Sequence, residues 1–293
     1  MSAEVRGSGI VCGTAPRHED DGHGKGVVVI VINTLEGLTL GAHPSIVEYW
    51  GSDILSDLYF MPKRLTGEVR ETALASPRFR QRVERLGDLL ARIDISSACR
   101  EALAEFERDT GHATGDEKLY LIVGCDTTTI YTIELAGERV SVLCLESIDG
   151  DMDVLRMYLA HEYTHIVRQR LLQRDIFESC LGERLVTEGI AERYSKETVP
   201  GRRDAEYCIV DDATVCWVQR HRVQLDGLMA GHLSDTSLME ALFYMFAAID
   251  FPVRCGYVCG LYSVEDHLEH HGLTAKDILV ADWRDILESG EDA

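Results

Sequence analysis

The feature that most constrains this chain is the pentapeptide HEYTH, which runs from His161 to His165. Residues four apart on an α-helix lie on one face, so His161 and His165 can offer imidazole nitrogens to one metal ion, with Glu162 beside it. Apolar residues recur near a 3.6 period from residue 152 to 172, without proline or glycine, and Asp151 is a candidate N-cap. The sequence therefore predicts a metal-binding helix.

A third ligand is expected from Glu188, in a later stretch that also has an amphipathic helical pattern. Gly189 follows it and removes a side chain where two helices must approach closely. Glu192, one helical turn further on, is placed to accept a hydrogen bond from the second ring nitrogen of His161. Two histidines and a glutamate, with one position left for water, are the ligand set of a catalytic Zn²⁺ site. Imidazoles favour Zn²⁺ over the hard cations Ca²⁺ and Mg²⁺.

The motifs HEYTH at 161, EGIAE at 188 and GYVCG at 256 occur in that order. With them the sequence resembles the gluzincin metallopeptidases, and most closely the predicted zinc-dependent protease family of the bacterial YjaZ type. The resemblance implies a gluzincin-like α+β fold, with an antiparallel sheet lobe, an active-site helix and a helical C-terminal lobe. It also implies that one strand of the region 118–146, with residues 140–146 as the first candidate, lies at the cleft edge and pairs with the backbone of an extended peptide substrate. An ordinary edge or central strand is the competing interpretation of residues 140–146.

The implied reaction is peptide-bond hydrolysis. A zinc ion with an open position lowers the pKa of its bound water, and Glu162 would take a proton from that water as general base. Tyr257, between two glycines of the third motif, is the candidate donor to the developing oxyanion. A packed core tyrosine is the competing interpretation of Tyr257. The alternative donors are Tyr131, Tyr194, His221 and His232.

Two other functions stay open at this point. The chain can be a zinc-bearing, non-hydrolytic binding or regulatory protein, or a helical interaction protein in which HEYTH is accidental. The C-terminal histidines His267, His270 and His271 have a spacing compatible with a second metal site, but an exposed helix end explains them more simply. Metal content distinguishes the helical interaction protein from the two zinc-bearing alternatives. Peptide cleavage then distinguishes the zinc peptidase from the non-hydrolytic zinc protein.

The resemblance implies a peptide or protein substrate, and composition argues against two other classes of partner. The formal charge of −21 over 293 residues argues against nucleic acid or an anionic membrane surface as a partner. The nine cysteines include no CxxC pair and are expected to be reduced thiols. The sequence shows no signal-peptide core and no apolar run of membrane-spanning length, so we expect a cytoplasmic location. The oligomeric state is not readable from these features.

The chain is expected to divide into a flexible tail at 1–26, an α+β lobe at 27–173 that ends in the HEYTH helix, and a helical lobe at 174–293. A β-branched run from Val27 predicts the first strand, and three β-rich runs between 118 and 146 predict an antiparallel meander. Other periodic stretches predict helices. They are 68–93, broken or bent near Pro77, and 96–108, 213–229, 237–248, 263–270 and 274–287.

Overall fold

The computed structural model describes residues 30–35, 50, 63–126, 128–174, 176–243 and 251–288, with side chains from residue 68 in the helix that begins at 63. The tail predicted at 1–26, the start of the first strand, and the end of the helix predicted at 237–248 lie outside the described residues. The division into two lobes remains a prediction.

The described residues form one four-stranded mixed sheet, in the order β1-β2-β4-β3. Strand β2 pairs in parallel with both β1 and β4, and only β3 and β4 are antiparallel. The strands are β1 (Ile30–Asn33), β2 (Lys118–Ile122), β3 (Ile130–Leu135) and β4 (Glu138–Cys144).

The predicted antiparallel meander is therefore wrong except for its last hairpin. That hairpin turns at Ala136 and Gly137, both with positive φ, which suits a tight two-residue connection. Strand β2 does not pair with β3, its neighbour in sequence, but with β4, which lies between them. Four of its five residues are buried, whereas β3 has none fully buried. The continuous apolar run of β2 suits an inner strand with parallel partners and both faces covered.

Within residues 63–126, three helices precede β2. They are α1 (Lys63–Ala75), α2 (Pro77–Leu90) and α3 (Ile95–Thr110). The predicted break near Pro77 is confirmed, because Ser76 is the N-cap of α2 and its hydroxyl accepts from the Phe79 N–H over 3.3 Å. Proline is tolerated at the first helical position since the N–H it lacks would have no helical partner there.

The HEYTH motif lies in α4 (Met152–Leu172), and a short 3₁₀ turn (Leu145–Ile148) joins β4 to it. The predicted cap is confirmed, because the Asp151 carboxylate accepts from the Asp153 N–H over 2.9 Å. The next helix, α5 (Leu181–Thr198), carries Glu188 and packs against α4. Most of both helices is buried.

The remaining helices are α6 (Asp204–Tyr207), α7 (Asp212–Ala230), α8 (Met239–Phe243), α9 (Cys255–His271) and α10 (Trp283–Leu287). Helix α9 begins at Cys255, eight residues before the predicted start at 263. The glycines in its first turns face other helices, and glycine does not contribute to the apolar pattern from which the start was predicted. The single helix predicted over 274–287 is wrong. A 3₁₀ turn (Ala275–Ile278) and α10 replace it, and Asp282 starts α10 by capping the Arg284 N–H over 3.0 Å.

Helices α5 and α9 touch backbone to backbone. A Cβ atom on Gly189 would lie 2.2 Å from the carbonyl oxygen of Gly260, and one on Gly260 would lie 2.4 Å from that of Leu185. Both positions therefore require glycine for this approach. The prediction that Gly189 allows a close approach to the HEYTH helix is wrong, because the atoms nearest to Gly189 belong to Gly260 and Val264 of α9.

Within the described residues, no helix has the length and apolar character needed to cross a bilayer. The eight cysteines in these segments are all free thiols, as expected from the absence of a CxxC pair. Cys12 lies outside the described residues.

Candidate metal centre and active site

The two motif histidines face each other on one side of α4. The Nε2 atoms of His161 and His165 are 2.9 Å apart, and both side chains are buried, at 8% and 6% exposure. One helical turn separates them, so their rings project from the same face. The helix thus places two imidazole nitrogens at one point in the interior.

Glu188 reaches the same point from α5. Its Oε2 atom lies 3.4 Å from Nε2 of His161 and 3.2 Å from Nε2 of His165. Four ligands at Zn–N and Zn–O distances near 2.0 to 2.1 Å on a tetrahedron are about 3.3 Å apart. The three separations are close to that value. Within the described part of the chain, this is the one group of His, Cys, Asp or Glu side chains spaced to share an ion.

The donor chemistry of this cluster fits a bound cation. Oε2 of Glu188 and Nδ1 of His165 are buried without a hydrogen-bond partner among the described residues. Burying a polar atom without a partner is unfavourable, and a metal ion coordinated by Oε2 would remove that cost at Glu188. Two imidazoles and one carboxylate are the donors of an open Zn²⁺ site. The residues present therefore fit zinc.

Arg184, which the sequence analysis did not single out, fixes the orientation of Glu188. It lies one turn earlier on α5, and its Nη2 atom is 2.8 Å from Oε1 of Glu188. Holding Oε1 leaves Oε2 directed at the two histidines. The sequence signal for this role was available as an i, i+4 pair of opposite charge, Arg184 and Glu188.

Glu192 faces the far side of the His161 ring. Its Oε2 atom lies 3.6 Å from Nδ1 of His161, the ring nitrogen that points away from the cluster. This separation is that of an ion pair and is slightly long for a hydrogen bond. The structure thus brings together the two groups that the sequence analysis paired.

Without a bound metal ion, the pKa of His161 is raised, whereas those of His165 and Glu188 are lowered. Burial disfavours the charged form of His161, but the Glu192 and Glu188 carboxylates outweigh it and hold the His161 pKa well above its usual value. Burial lowers the pKa of His165. Burial also opposes ionisation of Glu188, yet Arg184 and the histidines hold the Glu188 pKa well below its usual range.

Glu162 lies beside the histidines and is anchored to the sheet. Its Oε1 atom accepts a hydrogen bond from the Thr132 hydroxyl of β3 over 3.0 Å and another from the Ser141 hydroxyl of β4. The carboxylate is 4% exposed and lines the same cleft as the histidines. The sequence analysis missed both hydroxyl donors, because their contact with Glu162 depends on the strand order.

The cleft in front of this cluster has a volume of about 590 Å³. Strand β3 contributes every residue from Ile130 to Glu134 to its lining, and β3 is the outer strand of the sheet. The prediction that residues 140–146 form the cleft-edge strand is wrong, because β4 is paired on both sides, with β2 and β3. Of the two edge strands of the described sheet, β1 and β3, it is β3 that lines the cleft.

Tyr257 also lines the cleft, in the first turn of α9, and its hydroxyl is 3.4 Å from Nη2 of Arg184. Of the alternative donors, Tyr131 lines the cleft as well. The others have partners away from it. Tyr194 donates to Asp109, His221 stacks on Trp217, and His232 faces Asp235.

The C-terminal histidines lie away from the metal cluster. His267, His270 and His271 line a separate pocket that borders α7 and α10. The ring centre of His271 lies 4.3 Å from that of His267 and 4.8 Å from that of His270. Among the described residues, however, these three histidines are not spaced to bind one metal ion together.

A comparison with known protein families matches residues 133–288, more than half of the chain, to the family described as predicted Zn-dependent protease (DUF2268). The matched region contains His161, Glu162, His165, Glu188 and Tyr257, and the match confirms the resemblance seen in the three motifs. No curated protein and no solved structure matches the chain. The chain therefore belongs to the DUF2268 family of predicted Zn-dependent proteases.

Proposed function

We propose that this protein is a gluzincin-like zinc metallopeptidase with His161, His165 and Glu188 as metal ligands and Glu162 as general base. The observation that carries the proposal is the meeting of two imidazoles and one carboxylate at a buried point that opens onto a cleft. A chance HEYTH motif would not be expected to bring a glutamate from a second helix to within 3.4 Å of both histidines.

Zinc bound by these three residues would lower the pKa of a coordinated water and polarise the substrate carbonyl. Glu162 accepts the proton of the attacking water and delivers it to the leaving amine. This role requires a carboxylate that is ionised and fixed in orientation. The hydroxyls of Thr132 and Ser141 fix that orientation, since both donate to Oε1 of Glu162.

Strand β3 binds the substrate in this proposal. An extended peptide laid along its free side would continue the sheet through main-chain hydrogen bonds. Thr132 belongs to this strand and also bonds Glu162. The strand that holds the peptide therefore also positions the general base, which aligns the scissile bond with the catalytic carboxylate.

Tyr257 is the proposed donor to the oxyanion that forms when water attacks the carbonyl. Its phenol lines the cleft near Glu188, with Arg184 between them. A fixed donor of this kind is most effective when it is held in place before the reaction. Helix α9 holds Tyr257 through its contact with α5.

Metal content and peptide cleavage test the proposal together. Protein purified without chelator is expected to contain one zinc per chain, and a digest of a peptide library should show cleavage by mass spectrometry. Glu162→Gln should keep zinc and lose cleavage, because an amide does not accept the proton. Glu134→Gln removes a carboxylate from the same cleft and is the matched control, expected to cleave normally.

His161→Ala and Glu188→Ala should each lower zinc occupancy sharply. Unchanged zinc in both variants would refute the ligand assignment. A zinc-loaded wild-type protein that cleaves no peptide would instead favour the non-hydrolytic binding or regulatory protein.

A further inference from the structure

One wall of the cleft is built from guanidinium groups and aromatic rings that contact one another. Its members come from β4, from the loop between α4 and α5, and from helices α5, α8 and α9, and all of them line the cleft. In spatial order along this cation-aromatic wall they are Arg139, Phe177, Arg184, Phe243, Tyr257 and Arg254.

The first part of the wall passes next to the metal ligands. The Cζ atom of Arg139 lies 5.7 Å from the Phe177 ring centre, and Cζ of Arg184 lies 4.8 Å from that ring and 5.3 Å from Phe243. Phe177 also contacts His165, with ring centres 5.1 Å apart. Arg184 is engaged with Glu188, so its charge is already matched.

The last part of the wall ends in Arg254. The Tyr257 ring contacts Phe243 at 5.3 Å, and Cζ of Arg254 lies 4.4 Å from the Tyr257 ring centre. Arg254 is the residue before α9 and has a left-handed backbone, with φ of 62°. An arginine in this conformation carries backbone strain, which the surrounding structure must offset.

The guanidinium of Arg254 has no matching anion among the described residues. It makes no hydrogen bond there and has no carboxylate within ion-pair distance, and its Nε atom is buried without a partner. A partly buried arginine fork without a partner is suited to bind a carboxylate through paired charge-assisted hydrogen bonds.

We infer that Arg254 binds a carboxylate of the peptide substrate, so that the enzyme prefers substrates with an acidic group near the scissile bond. The inference rests on the proposed peptidase function and adds a substrate class to it. The carboxylate can belong to an acidic side chain or to the C-terminus of the peptide. A tyrosine ring stacked against the guanidinium keeps the fork in place for such a ligand.

Direct binding tests this preference without turnover. Zinc-loaded Glu162→Gln protein is titrated into four fluorescein-labelled decapeptides of a common alanine-rich sequence, and fluorescence anisotropy gives the Kd values. The probes are a C-terminally amidated peptide with central Gln, the same peptide with central Glu, a fully neutral amidated peptide, and its free-acid form. The Gln and Glu pair tests a side-chain carboxylate, and the amide and acid pair tests the C-terminal one.

We expect the acidic member of at least one pair to bind about 10 to 100-fold more tightly than its neutral partner, the scale of one charge-assisted hydrogen-bonded pair. Adding Arg254→Gln should abolish this difference. Equal Kd values within both pairs would overturn the inference. So would a preference that survives Arg254→Gln, because the carboxylate would then bind zinc or another group.

Two further variants separate recognition from packing. Arg284→Gln is the matched control, since Cζ of Arg284 also lies 4.4 Å from an aromatic ring, that of Trp283, away from the cleft lining. It should keep the full preference. Arg254→Lys keeps the charge without the fork and should keep part of the preference. If Lys and Gln at 254 lose it equally, Arg254 acts through packing and the inference fails.

The binding assay and the cleavage assay fail independently. A carboxylate preference that depends on Arg254, in a protein that hydrolyses no peptide, would refute the peptidase and leave a zinc-bearing binding protein for acidic peptides. Cleavage by the wild type without any such preference would leave the peptidase intact and refute the role of Arg254.

Discussion

Arg184 and Glu188 form a buried ion pair in which one carboxylate oxygen meets the arginine at 2.8 Å and the other faces two histidines. The pair thus assigns different roles to the two oxygens of one side chain. A metal ligand whose free oxygen is held in this manner is oriented before the metal arrives.

Replacing Arg184 should therefore weaken zinc binding without removing a ligand. We expect Arg184→Gln to lower zinc affinity about 10 to 100-fold, the usual effect of losing a group that orients a ligand. Competition with a chromophoric chelator measures the change. Arg193→Gln is the matched control, because Arg193 makes the same i, i+4 contact with Glu197 on the same helix. Equal affinities in the wild type and Arg184→Gln would assign Arg184 to packing alone.

Glu192 should act on zinc through His161. Its carboxylate faces Nδ1 of His161 at 3.6 Å and favours the orientation in which Nε2 points to the metal. Glu192→Ala is expected to reduce zinc affinity about 10 to 100-fold. The same chelator competition applies, and circular dichroism checks that the fold is retained. A folded Glu192→Ala protein with wild-type zinc affinity would exclude this role.

Tyr257→Phe should lower kcat by roughly 10 to 1,000-fold, the scale of losing one oxyanion donor. Zinc content and thermal stability should change little, because the Tyr257 hydroxyl has one long contact among the described residues, to Arg184 at 3.4 Å, and phenylalanine keeps the ring. Steady-state kinetics on a cleaved library peptide measures the effect. Tyr131→Phe is the comparison, since Tyr131 also lines the cleft. A normal kcat in Tyr257→Phe and a reduced one in Tyr131→Phe would transfer the role to Tyr131.

Glu146 should make the stability of the fold depend on pH. It is fully buried, and burial raises its pKa to about 7 although the Gly124 and Asp126 N–H groups donate to it. The native state holds this proton to higher pH than the unfolded chain does. Its contribution to the free energy of unfolding is therefore complete below about pH 4.5 and is lost as pH rises through about 7.

Urea unfolding between pH 5 and pH 8, with chelator present, measures this effect. We expect wild-type stability to fall by roughly 1 to 3 kcal/mol relative to Glu146→Gln across that interval. Comparing the two proteins at each pH cancels the titration of the metal ligands, which both contain. A constant difference between them would show that Glu146 does not titrate there.

The local parts of this structure are the parts that the sequence predicts well. Three local features were predicted correctly: the α4 helix, its cap at Asp151 and the break before Pro77. Each depends on residues within one or two helical turns, so periodicity and capping rules are sufficient to predict it. The gluzincin-like classification of the whole fold remains a prediction that a solved relative would test.

The missed features depend on contacts between distant segments. The position of β4 inside the sheet depends on pairing with β2, and the hydroxyls that hold Glu162 depend on that strand order. The role of Arg184 could have been predicted from the sequence, because Arg184 and Glu188 are an i, i+4 pair of opposite charge. The position of Arg254 at the cleft could not, because it results from the packing of α9 on α5.

The backbone contact between Gly189 and Gly260 affects where a bound peptide is expected to be cleaved. Glu188 precedes one of these glycines, and Arg254 stands at the start of the helix that contains the other. Glu188, a proposed metal ligand, and Arg254, the proposed carboxylate-binding residue, are therefore held by two helices whose backbones are in direct contact. If the distance between the proposed metal site and Arg254 is fixed in this way, cleavage is expected at a constant number of residues from the bound acidic group.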